Sequence, residues 1–212
     1  MMRTFMIAAT MLLVSVPAMA TNAVASFTGG STFPVFSSDE TVGWAFSTAK
    51  HIAVTALGWN VTVNGPNGSS SSHQVGIWNS GGTLLGSATV TAGSATDGIW
   101  RFTGVSPIAL SAGQYFIGGR DTSDDGDRYV TSVSNLTLAA GLTFLGSAVS
   151  PNGSGFAFPA NINSVTTGGR FGPNFQFKAA GAIPEPASWA MLISGFGLVG
   201  AVARRRRLAI AA

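Results

Sequence analysis

The chain has 212 residues, 28 of them glycine, with no cysteine and only 9% charged residues. It can therefore form no disulfide, and a hydrophobic core, which a chain of this length is able to bury, must stabilise its fold. The isoelectric point near 10 does not indicate a nucleic-acid-binding domain, because Arg3 and the four arginines at 204–207 belong to the two ends of the chain. Residues 26–180 contain six basic and seven acidic residues, a net charge of −1.

The first 20 residues have the three parts of a secretory signal peptide. Arg3 supplies a short basic region, residues 5–16 are apolar, and Ala18-Met19-Ala20 is a small-x-small cleavage site. Residues 23–25 (Ala-Val-Ala) offer a second site, so cleavage is predicted after residue 20 or, alternatively, after residue 25. The apolar segment is too short for a permanent anchor, and we expect it to be removed during export.

Residues 26–180 are predicted to form one all-β domain. Nine short segments rich in β-branched or aromatic residues are predicted strands: 42–46, 52–63, 74–78, 83–91, 99–105, 114–118, 128–133, 142–149 and 175–177. Turn signals such as Asn79-Ser80-Gly81-Gly82 separate them. Residues 72–85 are expected to form a hairpin, and 108–117 a turn that enters a strand. Since no long helical period intervenes, the pattern indicates an antiparallel β-sandwich or jelly-roll-like fold.

The densest group of acidic residues lies in segment 121–127. Oxygen donors at alternate positions with a following glycine are typical of calcium-binding loops, so Asp121, Ser123, Asp125 and Asp127 are candidate metal ligands. Position 12 of such a loop would be Ser132 instead of glutamate, and no flanking helices are predicted, so the segment is not an EF-hand. The alternative is a solvated hairpin loop in which Asp and Gly form turns; in that case the protein needs no cofactor.

Four tryptophans on predicted strands are candidates for glycan stacking: Trp44, Trp59, Trp78 and Trp100. A carbohydrate-binding sandwich stacks exposed aromatic rings on sugar rings, but the apolar neighbours of these residues equally fit a core. An exposed flat row of rings would favour glycan binding, whereas complete burial would favour a structural role.

No sequence pattern indicates catalysis. His51 and His73 have no metal-like partner at short spacing, and no Gly-x-Ser-x-Gly elbow occurs. Glycoside hydrolysis needs two carboxyl groups across a cleft, yet Glu40 is the only glutamate before the C-terminal region and most aspartates crowd into one segment. We predict that the protein is not an enzyme, and that both histidines lie on the surface or pack on turns.

The last 30 residues contain three features in series. Pro184, Glu185 and Pro186 form a rigid tripeptide, residues 187–203 are uncharged, and four arginines follow. As a helix, the uncharged span would cross most of a bilayer, and the arginines would stay on the cytoplasmic side. Residues 195–200 fit G-x-G-x-x-G, but they lie inside this apolar span with only arginines as charged residues after them, so we reject nucleotide binding.

This tail resembles the PEP-CTERM sorting signal of bacterial exported proteins, which an exosortase processes. The resemblance covers residues 183–207 and rests on the residues Pro184, Glu185, Pro186, Trp189, Arg204, Arg205, Arg206 and Arg207. It implies an inner-membrane intermediate held by a transmembrane helix at 187–203, cleavage near the Pro-Glu-Pro tripeptide, and delivery to the cell surface or extracellular matrix. A plain C-terminal membrane anchor is the alternative and has the same topology.

The body also resembles the small β-sandwich domains of unassigned function that are attached to PEP-CTERM tails, at residues 72–85, 108–117 and 171–175. That resemblance implies a sandwich and no established activity. We therefore expect a structural or adhesive role at the cell surface or in a polysaccharide matrix. Binding of exopolysaccharide, with or without Ca²⁺, is the first alternative, and a secreted hydrolase is the second.

Overall fold

A computed structural model describes residues 19–33, 39–61, 71–122, 129–163 and 168–179. Within these ranges every regular element is a strand, and there are fourteen: β1 (Thr21–Asn22), β2 (Val24–Phe33), β3 (Glu40–Thr48), β4 (Ile52–Asn60), β5 (His73–Asn79), β6 (Leu84–Val90), β7 (Ala95–Asp97), β8 (Trp100–Leu110), β9 (Gly113–Asp121), β10 (Tyr129–Leu138), β11 (Leu142–Val149), β12 (Asn161–Asn163), β13 (Arg170–Phe171) and β14 (Pro173–Ala179). All their pairings are antiparallel. The predicted all-β, antiparallel fold class is confirmed.

The strands form three sheets. One has five strands in the order β1-β14-β4-β8-β7, one has six in the order β12-β11-β3-β9-β5-β6, and a small one has three in the order β13-β10-β2. Short turns carry the chain from one large sheet to the other, between β3 and β4 and again between β8 and β9. The two large sheets pack face to face, and each of these turns connects a strand of one sheet to a strand of the other.

A single hydrophobic core fills the space between the two large sheets. Trp44 and Phe46 of β3 meet Phe175 of β14, with ring centroids 5.9 and 4.9 Å apart. Phe27 of β2 and Tyr129 of β10 belong to the same cluster, so the small sheet shares this core. Burial of these aromatic side chains is the main stabilising term of a sandwich that lacks disulfides.

The six-stranded sheet is covered on its outer face as well. Trp78 of β5 packs on Phe156, and Phe116 of β9 packs on Phe158, with centroids 5.1 and 4.9 Å apart. Both phenylalanines belong to the segment that connects β11 to β12. Because both faces are covered, consecutive residues of β3, β5 and β9 are buried where a half-exposed strand would alternate.

Each of the nine predicted strands overlaps an observed one, and the hairpin predicted at 72–85 is the β5–β6 pair. Its turn shows why the local sequence was informative: the Asn79 side chain accepts hydrogen bonds from the backbone N–H groups of Gly81 and Thr83 at 3.0 and 2.9 Å. Gly82 adopts a φ of 83°, which favours glycine.

Five strands were not predicted: β1, β2, β7, β12 and β13. Four of them have only two or three residues, too few to show an alternating pattern. The ten-residue β2 contains Gly29 and Gly30 with φ values of 62° and 95°, and these residues interrupt the pattern of a regular strand.

The sandwich begins earlier than the predicted boundary at residue 26. Ala23 and Val24 are fully buried, and the backbone N–H of Ala23 donates to the Phe175 carbonyl oxygen at 2.8 Å. The Asn174 side chain accepts from Val24 N and donates to Val24 O. Residues 21–25 therefore pack as part of the folded body, ahead of residue 26.

The sandwich has two chemically different ends. The tail end consists of the turns 49–51, 111–112 and 139–141 together with Thr21 and Ala179, because Ile52 pairs with both Leu110 and Ala179. The acidic end lies at the opposite ends of β3 and β9 and consists of Asp39, Glu40 and Asp121.

In the described part of the chain, no helix has the length and apolar character needed to cross a membrane. The predicted transmembrane helix at 187–203 and most of the predicted signal peptide lie outside the described residues.

Candidate functional site

The candidate site is the acidic end, where two carboxylates stand on neighbouring strands. Glu40 of β3 and Asp121 of β9 are direct cross-strand partners, so both side chains leave the same face of the sheet. Asp121 is fully buried. Burial raises the pKa of Glu40 above its ordinary value, and the positive charge of Arg170 partly opposes this rise.

Arg170 of β13 is the cation that pairs with Glu40. Its Nη1 lies 3.6 Å from Glu40 Oε1 and donates a hydrogen bond to the Tyr129 hydroxyl at 3.2 Å. Its guanidinium carbon also lies 5.5 Å from the centre of the Tyr129 ring. Burial raises the pKa of Tyr129 to about 12, with Arg170 lowering it and the carboxylates of Glu40 and Asp121 adding to the rise. Tyr129 is therefore a neutral hydrogen-bonding group at neutral pH.

A second ion pair closes the rim of the acidic end. Arg120 Nε and Nη2 donate to the two carboxylate oxygens of Asp39 at 2.7 and 2.6 Å. This bidentate pair is partly exposed, and the hydrogen bonds from Arg120 lower the pKa of Asp39. Two described carboxylates of the acidic end, Asp39 and Glu40, thus form ion pairs with Arg120 and Arg170.

The predicted calcium ligands are only partly visible in the structure. Asp121 is the buried carboxylate described above, whereas Ser123, Asp125 and Asp127 lie outside the described residues. Among the described residues, no group of three or more His, Cys, Asp or Glu side chains could hold a metal ion. The calcium site therefore stays a prediction.

The four candidate stacking tryptophans are all in the interior. Trp44 and Trp59 are fully buried, and Trp78 and Trp100 are each 3% exposed. Trp44 Nε1 donates to the Pro173 carbonyl oxygen at 3.0 Å, and Trp59 stacks on His73 at 4.0 Å. A sugar ring needs an exposed aromatic face, so the burial of these four residues favours a packing role, and the glycan-stacking role stays an untested prediction.

The two histidines differ from each other. His51 is exposed in the turn after β3, as expected. His73 is only 1% exposed and Nδ1 lies 3.0 Å from the Arg120 carbonyl oxygen. The expectation of a surface or turn position is therefore wrong for His73, which packs between the sheets because its ring lies flat against Trp59.

Sequence reasoning did not find Glu40, Tyr129 and Arg170 as a group. Arg170 lies 130 positions after Glu40, and no local motif links the two. Only the pairing of β13 with β10 brings Arg170 beside Thr131, two residues from Tyr129.

A groove of about 610 Å³ lies between β6 and β8 and is separate from the acidic end. Residues 85–88 and 104–109 line it. Its only side-chain hydroxyls are those of Ser87 and Ser106, and no charged side chain or histidine is among its lining residues. The groove therefore lacks an acid–base pair for hydrolysis.

Residues 182–207 match the protein family described as the PEP-CTERM protein-sorting motif. Comparisons with curated proteins and with solved structures gave no match. The match covers the whole predicted sorting segment, 183–207, and begins one residue before it, and it confirms the resemblance seen in the tail.

Proposed function

We infer that the PEP-CTERM sorting motif at residues 182–207 directs export through the membrane to the cell surface and processing by an exosortase. We propose that the sandwich serves there as a structural or adhesive component without catalytic activity. The observation that supports this is the burial of Trp44, Trp59, Trp78 and Trp100, because these aromatic surfaces stabilise the body and are not presented to a ligand.

The charged residues support the same proposal. Asp39, directly before β3, pairs with Arg120 of β9 at 2.6 Å, and this arginine lowers the pKa of Asp39. Glu40 faces Arg170 at 3.6 Å, which partly offsets the cost of burying the Glu40 carboxylate. A protein that stays outside the cell without disulfides gains from a well-packed core and from ion pairs between its strands.

The experiment compares cells that lack this chain with cells that carry it. Adhesion to a surface and cohesion of the matrix are expected to fall on deletion and to return with the wild-type chain. A variant with Pro184→Ala, Glu185→Ala and Pro186→Ala is expected not to restore them, because the chain would not be sorted. Unchanged adhesion and cohesion after deletion, under conditions in which the wild-type chain is detected on the surface, would contradict the proposal.

A second candidate function is binding of exopolysaccharide with Ca²⁺ as a bridging ion. It is supported by the buried Asp121 beside Glu40 and by the three further aspartates in the sequence between Thr122 and Tyr129. Carboxylate and hydroxyl oxygens are the ligands that Ca²⁺ takes from proteins and sugars.

This second function is tested by co-sedimentation of the purified protein with the exopolysaccharide of its host, with Ca²⁺ or with a chelator. Binding that requires Ca²⁺ and is lost in Asp125→Ala, but not in the exposed control Thr96→Ala, would support it. The melting temperature of the protein should also rise on addition of Ca²⁺. Absence of binding in both conditions would leave only the structural role.

A further inference from the structure

We propose that the tail end of the sandwich lies against the membrane while the chain is held there, with Lys50 and Lys178 facing the phosphates of anionic lipids. This inference rests on the anchored intermediate that the sorting motif and the predicted span at 187–203 imply. It assigns the side of the body that meets the membrane and the chemistry of that contact.

The length of the connecting segment limits the orientation. β14 ends at Ala179, and only seven residues separate it from residue 187, where the predicted span begins. Eight Cα–Cα steps reach at most about 28 Å when fully extended. A strand of nine residues such as β3 is itself roughly 30 Å long. The segment is therefore too short to run back along the body and bring the acidic end to the membrane.

The beginning of the folded body lies at the same end. Thr21 pairs with Phe177, two residues before Ala179. The predicted signal peptide ends at residue 20, so before cleavage it also enters the body at the tail end. Both connections to the membrane thus leave the sandwich on one side.

The charges of the tail end suit an anionic surface. Lys50 and Lys178 are exposed, and the turns 49–51, 111–112 and 139–141 contain no acidic residue. Lysines near a membrane surface are attracted by anionic lipids. Among the described acidic residues, Asp39, Glu40 and Asp121 form the opposite end. The fourth, Asp97, lies on β7 outside the turns of the tail end, and its carboxylate accepts hydrogen bonds from the side chains of Asn22 and Gln176 at 3.0 and 3.2 Å.

The turn that carries Lys50 is held in place by its own hydrogen bonds. The Thr48 hydroxyl donates to the Lys50 carbonyl oxygen at 2.7 Å, and the Lys50 N–H lies 3.3 Å from the same hydroxyl oxygen. The neighbouring turns have small residues, Ala112 and Gly141, at exposed positions. Small side chains allow the lysines to approach the lipid surface closely.

The absence of cysteine allows a direct test with single labels. Full chain with Ala112→Cys at the tail end, or with Asn152→Cys in the exposed segment after β11, is labelled with a fluorophore. Each protein is reconstituted in phosphatidylethanolamine–phosphatidylglycerol vesicles that contain a lipid with a quencher near its headgroup. We expect quenching at position 112 to exceed quenching at position 152 at least about twofold, since the two sites differ in distance by roughly the length of a strand.

The role of charge is tested in the same vesicles. The double variant Lys50→Glu, Lys178→Glu is expected to lower quenching at position 112, while Lys50→Arg, Lys178→Arg should preserve it. In phosphatidylcholine vesicles without net charge, quenching at position 112 should be the same in the two double variants. Equal effects of both variants in the anionic vesicles would overturn the contact with lipid phosphates.

Extraction with alkaline carbonate distinguishes failure of the proposed orientation from failure of the membrane-anchored intermediate. If the chain is extracted, the anchored intermediate does not form, and the orientation is overturned with it. If the chain stays in the membrane but positions 112 and 152 are quenched equally, the anchored intermediate stands and the orientation alone is wrong.

Discussion

Replacement of Asn174 by alanine is expected to lower the free energy of unfolding by about 3 kcal/mol. The Asn174 side chain is fully buried. Its Oδ1 accepts from the backbone N–H groups of Val24 and Phe175, both at 2.9 Å, and its Nδ2 donates to the Val24 carbonyl oxygen at 3.2 Å. Asn174 therefore connects the beginning of β2 to β14, the last described strand.

Alanine at position 174 leaves three buried backbone groups without their partner. Each unsatisfied group costs about 1–3 kcal/mol. Water can enter the space that the amide vacates, so we take the lower value for each group, which gives about 3 kcal/mol in total. For a domain of this size, 1 kcal/mol changes the melting temperature by about 2–4 °C, so a fall of about 6–12 °C is expected.

The assay is thermal and urea unfolding of the full chain, with Asn161→Ala as the matched control. Asn161 lies on the short edge strand β12 and is exposed, so its replacement changes the same side chain without removing a buried hydrogen bond. Limited proteolysis should also release residues 21–25 earlier in Asn174→Ala, because the connection to β14 is lost. Equal stability of the two variants would refute this reasoning.

Three further outcomes are expected. Mass spectrometry of the exported protein should find Thr21 as its first residue, because cleavage after residue 25 would remove the buried Ala23 and Val24; a chain that begins at residue 26 would contradict this. Burial raises the pKa of Glu40 above its ordinary value of 4.5, so its contribution to stability is complete below about pH 4.5 and is lost as the pH rises through the higher folded value. Wild type should therefore lose stability relative to Glu40→Gln as the pH rises above about 4.5, whereas parallel unfolding curves would exclude the effect. Gly119→Ala should destabilise the protein by about 1–3 kcal/mol, since a Cβ there would overlap the Trp59 ring. In the control Gly93→Ala, a Cβ would make only an ordinary van der Waals contact with the Thr91 hydroxyl oxygen at 3.8 Å, and an equal loss in both variants would show that the Trp59 contact is not the cause.

Most of the strands could be predicted because their signals are local. β-branched and aromatic residues separated by turn residues identified nine of them, and the Asn79 turn shows the hydrogen bonds behind such a signal. β2 was missed because Gly29 and Gly30 interrupt its pattern. The order of strands within the sheets was not predictable, since β3 pairs with β9 and β11, which lie far along the chain.

The candidate site was predicted much less well than the fold. Asp121 was identified by its acidic neighbours in sequence, but its cross-strand partner Glu40 was not. The same limit applies to the tryptophans: their sequence neighbours fit both an exposed row and a core, and only the packing of the sheets shows that they are buried.

The sequence by itself determined where this protein is sent, because the sorting motif at 182–207 is a contiguous segment whose residue types and order carry the signal. It also determined the all-β class, since strand and turn preferences act over a few residues. The tertiary structure alone decided that Asp39, Glu40 and Asp121 meet at one end while Thr21, Lys50 and Ala179 meet at the other. The physical reason is that strand pairing brings distant residues together through backbone hydrogen bonds and a shared core, which no local segment encodes.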